Sequence, residues 1–283
     1  MSLDLAERPS TRHPAAVEAE LNYLGPVDGR PFTYTFVPPT GQPRSNITAA
    51  PHRVAIHDLR PIATSVSLDR EGFAVAAGAS ALRDFSDEAA IRAIYYLESA
   101  RILQAVTGAA RVHIFDHTIR RQVHGEEDRG GAARQPVARV HVDHTEHSGP
   151  QRVHDLLPDE AEALLRGRVQ IVNLWRPIAG PVRDMPLAVC DATTVASGDL
   201  VASDLIYPDR QGETYQVRFN AAHRWYWLPE MTTDEALLLK VYDSARNGPA
   251  RFSPHTAFAQ PNALPDAPPR QSIEIRALLF HGT

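Results

Sequence analysis

The chain has 283 residues and a formal net charge of −5, long enough for one large domain and with no basic surplus to recruit nucleic acid or an acidic membrane surface. Its single cysteine, Cys190, excludes an internal disulfide and a cysteine-rich zinc site. No apolar run is long enough to span a bilayer, and the stretch from Met1 to Pro14 lacks the apolar core of a signal peptide. A cytoplasmic protein with a small-molecule substrate is expected, with a homodimer left open. Lys240 is the only lysine among many arginines, a feature read as genome composition.

In chain order, the first forty-odd residues read as extended and turn-rich. Phe32-Thr33-Tyr34-Thr35-Phe36-Val37 alternates as a half-buried strand would, and Pro38-Pro39 ends it. Residues 1–50 are expected to form an extended or lid region on one domain spanning 1–283. A helix is expected from Ser86 as N-cap, with Asp87 and Glu88 in its first turn. Ile91, Ile94, Tyr95, Leu97, Leu103 and Val106 follow at helical spacing, and Gly108 lies near its end. A second, short helix is expected from Pro158 to Arg166, stopped by Gly167.

Most of the rest reads as strands: Arg111 to Phe115, Val137 to Val142, Val169 to Trp175, Leu187 to Cys190, Asp199 to Tyr207, Thr214 to Phe219, His223 to Leu228, Leu237 to Tyr242 and Ser272 to Phe280. Turn signals separate them, among them Pro150, Gly180-Pro181, Asn247-Gly248-Pro249 and the proline-rich stretch from Pro261 to Pro269. Many short strands after one long helix predict a mainly β protein with flanking helices, a double-stranded β-helix of jelly-roll, cupin-like type.

The candidate chemistry starts at His141-Val142-Asp143. Residues i and i+2 of a strand share a face, so both side chains can point into a barrel from one rigid element. Two histidines and a carboxylate form the facial set of non-haem Fe(II) oxygenases, which keeps coordination positions open. In a chain with thirteen histidines, His-x-Asp alone is a weak signal. Either His223 or His255 could complete it, and the place of His255 before a final arginine-bearing strand favours it. His144 has the opposite strand parity and reads as a pocket neighbour, His147 as solvated loop. On the final strand Arg270, Ser272, Glu274 and Arg276 alternate with Ile273, Ile275 and Ala277. Arg270 has the planar fork that binds a carboxylate, and Ser272 can add a third hydrogen bond. Arg276 can serve as a second carboxylate contact or as a brace for Asp143.

His141-x-Asp143, His255 and Arg270-x-Ser272 together resemble the non-haem Fe(II)/2-oxoglutarate dioxygenase superfamily. More narrowly, Val140 to Asp143, Asn173 to Ile178, Pro186 to Asp191, His223 to Tyr226, Tyr242 to Ser244, Pro254 to Phe258 and Arg270 to Arg276 resemble the CmcJ/NvfI family. That group includes cephamycin-pathway, fungal meroterpenoid and gibberellin-desaturase-like oxygenases. The resemblance covers about Asn22 to the C-terminus. It implies Fe(II) held by His141, Asp143 and His255, with 2-oxoglutarate as cosubstrate and O2 as oxidant. It also implies hydroxylation, desaturation or other C–H oxidation of a natural product of secondary metabolism. The substrate pocket is expected to draw on His144, Asn173, Trp175, Arg176, His223, Trp225 and Tyr226, with the hairpin around Tyr34 as a lid. A keto-acid-independent iron oxidase, a cupin-type enzyme and a non-catalytic jelly-roll accessory protein are the alternatives.

Overall fold

The computed structural model describes residues 15–123, 134–248, 250–264 and 266–282. The strands among these residues are β1 (Ala16–Leu24), β2 (Phe32–Tyr34), β3 (Ala49–Asp58), β4 (Phe73–Ala77), β5 (Arg111–Arg121), β6 (His141–Val142), β7 (Val169–Ala179), β8 (Leu187–Cys190), β9 (Leu200–Ile206), β10 (Gln211–Val217), β11 (Trp225–Trp227), β12 (Glu235–Asp243), β13 (His255–Ala257) and β14 (Gln271–Phe280). They form a nine-stranded sheet, ordered β1-β3-β11-β8-β13-β6-β10-β9-β2, and a five-stranded sheet, ordered β4-β12-β7-β14-β5. The two sheets curl into the expected jelly roll.

β7, β12 and β14 are buried along most of their length because both faces of the small sheet are covered. On β14, Leu278 and Phe280 pack into the cluster that holds Trp175, Leu237 and Leu239. The alternate residues Ile273, Ile275, Ala277 and Leu279 pack with Ile91, Tyr95 and Leu103 of the long helix. A third cluster, with Tyr23, Ile56, Cys190 and Trp225, lies on β1, β3, β8 and β11 of the large sheet.

The long helix spans 88–107 and ends at Gly108, whose φ of 68° is the left-handed conformation glycine adopts most readily. Its N-cap is Asp87, not Ser86. Asp87 is extended and accepts from the Ala90 amide at 3.0 Å, whereas the Ser86 hydroxyl is engaged with Asp84 at 2.6 Å. Ile91–Tyr95 forms a π-turn that rotates the buried Ile91 and Tyr95 onto the sheet. The second expected helix is shorter, Ala161–Leu164, and an unexpected one precedes it, Ser148–Leu156. Pro150, read as a turn signal, sits in the first turn of that helix, where its missing N–H has no intrahelical partner to lose.

The expected extended or lid region, residues 1–50, contains a full strand. Residues 1–14 lie outside the described residues, and β1 is a full strand paired antiparallel with β3 over Ala16 to Leu24. β2 joins the far edge, parallel to β9, and Thr33, Tyr34 and Thr35 there line a cavity that His141 and Asp143 also line. Among the described residues, no helix is long and apolar enough to cross a membrane.

Candidate active site

β6 is short and lies between β13 and β10, with His141 directly opposite both His255 and Gln216. Directly opposed residues of an antiparallel pair share a face, so the two histidines meet. Their rings lie 4.5 Å apart, centroid to centroid. Asp143 follows just past the strand, its Oδ1 3.3 Å from His141 Nε2 and 4.0 Å from His255 Nε2. One donor atom from each of the three residues lies within 4.8 Å of the others.

The backbone sets both imidazole tautomers. His141 Nδ1 lies 2.7 Å from the Arg139 carbonyl and His255 Nδ1 lies 3.2 Å from the Ser253 carbonyl. A carbonyl only accepts, so each Nδ1 carries the hydrogen and each Nε2 presents a lone pair toward Asp143. Burial, aided by His141 nearby, lowers the pKa of His255 and keeps it neutral. Burial alone would raise that of Asp143. The Arg276 guanidinium beside it overrides that and holds the carboxyl well below the usual range. Two neutral nitrogen donors and one ionised carboxylate, oriented by contacts behind them, fit Fe(II).

Asp143 is held from the opposite sheet. Asn173 Nδ2 donates to its Oδ2 at 2.7 Å and Arg276 Nε donates to the same oxygen at 3.2 Å. Arg276 also bonds Asp116, Thr118 and Glu274. Its Nε, Nη1 and Nη2 are thus all engaged, as in a brace for Asp143. Arg270 differs. Its side chain bonds Ser272 Oγ at 3.2 Å and the Met185 carbonyl at 2.6 Å, and its guanidinium lies 5.0 Å over the Trp175 ring. Among the described residues no carboxylate pairs with it, and burial, together with Arg120, pulls its pKa down to about 9. Arg270 does not line the cavity that His141 and Asp143 face. Arg120, opposite Ser272 on β5, does.

The cavity beside the triad has a volume of about 920 Å³. His144 lines it, buried, with its Nδ1 3.2 Å from Ser148 Oγ. Burial brings the His144 pKa down to about 4. Other expected pocket residues lie elsewhere. Arg176 points to the helix side of the small sheet, donating to the Gly78 and Thr233 carbonyls beside Tyr95. Trp225 Nε1 donates to Tyr23 Oη at 2.7 Å inside the third apolar cluster. His223 is held there too, between Tyr23 and Asp199. The sheet has two faces, and the sequence pattern around His223 does not say which one it joins. Trp175 and Tyr226 pack into the apolar core, with Trp175 against Arg270. Residues not anticipated are Arg120, Arg139 and Gln216. Arg139 sits in the bend just before β6, where strand parity does not assign a face.

Such a jelly roll, with two neutral imidazoles and one carboxylate gathered beside its cavity, is the scaffold of a non-haem iron oxygenase. A family model described as an oxidoreductase/YMDC permease-like domain matches residues 21–280. The Fe(II)/2-oxoglutarate-dependent dioxygenase nvfI of Aspergillus novofumigatus is 34% identical over 274 residues, covering 94% of this chain and 97% of that protein. The hydroxylase/desaturase efuI of Hormonema carpetanum is 34% identical over 248 residues, covering 80% and 83%. A solved structure of the iron and alpha-ketoglutarate-dependent endoperoxidase NvfI aligns with a TM-score of 0.87 at 32% identity, covering 96% of this chain and 100% of that one. The chain belongs to this oxidoreductase family of Fe(II)/2-oxoglutarate-dependent dioxygenases. Its reaction uses Fe(II), 2-oxoglutarate and O2. The accessory-protein and keto-acid-independent readings fall away.

Proposed function

We propose that His141, Asp143 and His255 hold the Fe(II), that Arg270 with Ser272 receives the distal carboxylate of 2-oxoglutarate, and that residues 1–283 work as one catalytic unit. The observation that carries this reading is the convergence of three donor atoms within 4.8 Å, with both histidine tautomers set by backbone carbonyls. The enzyme oxidises a C–H bond of a small natural product, by hydroxylation, desaturation or a related outcome. When bound, iron and cosubstrate together supply the oxidising power.

The protein's own residues do the positioning. Asn173 and Arg276 fix the Asp143 carboxylate, and the Arg139 and Ser253 carbonyls fix the histidines. A buried guanidinium without a carboxylate is costly, and an arriving carboxylate relieves that cost at Arg270. Tyr34 and its neighbours on the β2 rim form the lid, and His144 faces the bound substrate. A cytoplasmic location, supported by the single buried cysteine, completes the reading, with a homodimer as the assembly.

Iron retention against a competing chelator tests the triad. Retention is expected to be lost in His141→Ala, Asp143→Ala and His255→Ala and kept in His223→Ala. Undiminished retention in the three triad variants would overturn the assignment.

A further inference from the structure

The charges around the cavity do not balance, although the whole chain is acidic at −5. The acidic side chains on its wall are already engaged. Asp204 and Glu213 bind Arg30, Asp143 and Asp116 bind Arg276, and Asp155 bonds Gln151 with Arg152 nearby. Five arginines on the same wall, Arg44, Arg120, Arg134, Arg139 and Arg210, have no carboxylate partner among the described residues.

Arg139 is the most telling of them. It lies two residues before His141, its backbone carbonyl accepts from His141 Nδ1, and its side chain lines the cavity. Its Nε is buried and has no hydrogen-bond partner among the described residues. Gln216, opposite His141 on β10, also lines the cavity, and its buried Oε1 has no partner among the described residues either. A buried donor and a buried acceptor are thus left open beside the triad. Buried polar groups are normally satisfied, and a cluster left open at a cavity wall is satisfied by what enters the cavity.

We propose that the substrate carries an ionised acid group, a carboxylate in the simplest case, bound by Arg139, with Gln216 accepting a hydrogen bond from a neighbouring hydroxyl or N–H of the same molecule. Arginine suits this task because its fork is permanently charged and bidentate. The unpaired arginines near the rim add attraction for an anion as it enters. The inference rests on the cavity being the catalytic pocket of the dioxygenase.

A matched pair of fluorescent probes tests it on the full chain, with Mn(II) and saturating 2-oxoglutarate present so that the cosubstrate subsite is filled. The anion 8-anilinonaphthalene-1-sulfonate is expected to bind about tenfold more tightly than the neutral N-phenyl-1-naphthylamine. Arg139→Gln should weaken the anion about tenfold and leave the neutral probe unchanged. Arg139→Lys should keep much of the preference, and Arg53→Gln, at an exposed position outside the cavity, should change nothing. Equal binding of the two probes, no binding of either, or an anion affinity indifferent to Arg139→Gln would overturn the proposal. So would a loss of 2-oxoglutarate affinity in Arg139→Gln with the anion unaffected, which would give Arg139 to the cosubstrate. The dyes report the charge of the cavity whether or not iron binds, so failure here and failure of the triad assignment are separate results.

Discussion

Asn173 Nδ2 donates to Asp143 Oδ2 across 2.7 Å, from β7 of the small sheet to the residue that follows β6 of the large one. Asn173 is fully buried. The contact ties the two walls of the jelly roll together at the carboxylate on which the site depends. Outer hydrogen bonds of this kind orient a ligand, and losing one typically weakens metal binding ten- to a hundredfold. Asn173→Ala is therefore expected to raise the iron dissociation constant by about ten- to a hundredfold, measured by chelator competition, while near-UV circular dichroism stays native.

Arg270, just before β14, and Arg276 on it should separate by phenotype. Arg270→Gln removes the proposed anchor, and because a charge-assisted bond is worth roughly 1.5–3 kcal/mol, the 2-oxoglutarate dissociation constant should rise about ten- to a hundredfold. Arg276→Gln instead strips the cation from Asp143 and Glu274. Breaking a buried pair costs about 3–5 kcal/mol, so the main effect expected is on the denaturation midpoint and on iron retention. Titration calorimetry with 2-oxoglutarate, paired with urea melts, distinguishes the two.

Acid should destabilise the metal-free fold in part through His223. Burial lowers its pKa in the folded protein, although Asp199 partly offsets the shift. The folded protein then binds fewer protons there than the unfolded chain once pH drops below the ordinary histidine value of about 6.5. Stability from this group is present above that value and is lost as pH falls toward the lowered one. His223→Gln should flatten the slope of melting temperature against pH just below 6.5. An unchanged slope would remove His223 from the account.

Gly149 leaves no room for a side chain. A Cβ built there meets the Tyr242 ring, so the helix Ser148–Leu156 packs against β12 at glycine distance. The same helix carries Ser148 to the His144 ring. Gly149→Ala is expected to cost about 1–3 kcal/mol by overpacking, read from chemical denaturation, despite the better helix propensity of alanine.

Much of this architecture was legible in periodicity. The alternation of Arg270, Ser272, Glu274 and Arg276 with Ile273, Ile275 and Ala277 gave both faces of β14, and i, i+2 parity placed His141 with Asp143. β1 also alternates, with Val17, Ala19, Leu21 and Tyr23 buried, but small alanines blur its apolar face. Arg176 and Trp225 were harder. Where both faces of a strand are buried, composition does not reveal which face meets the cavity. The contact of Asn173 with Asp143 joins residues 30 positions apart, and no local pattern encodes it. Lys240, read as a mark of composition, is in fact fully buried between Asp69 at 2.6 Å and Asp243 at 2.7 Å.

The most direct test of the dioxygenase site is an anaerobic titration of the metal-free protein with Fe(II) and 2-oxoglutarate, watching for the weak visible charge-transfer band of the chelate. The band should appear only when both are added, saturate at one equivalent of iron, and vanish in His255→Ala. A folded wild-type protein that gives no band with both present would contradict the account.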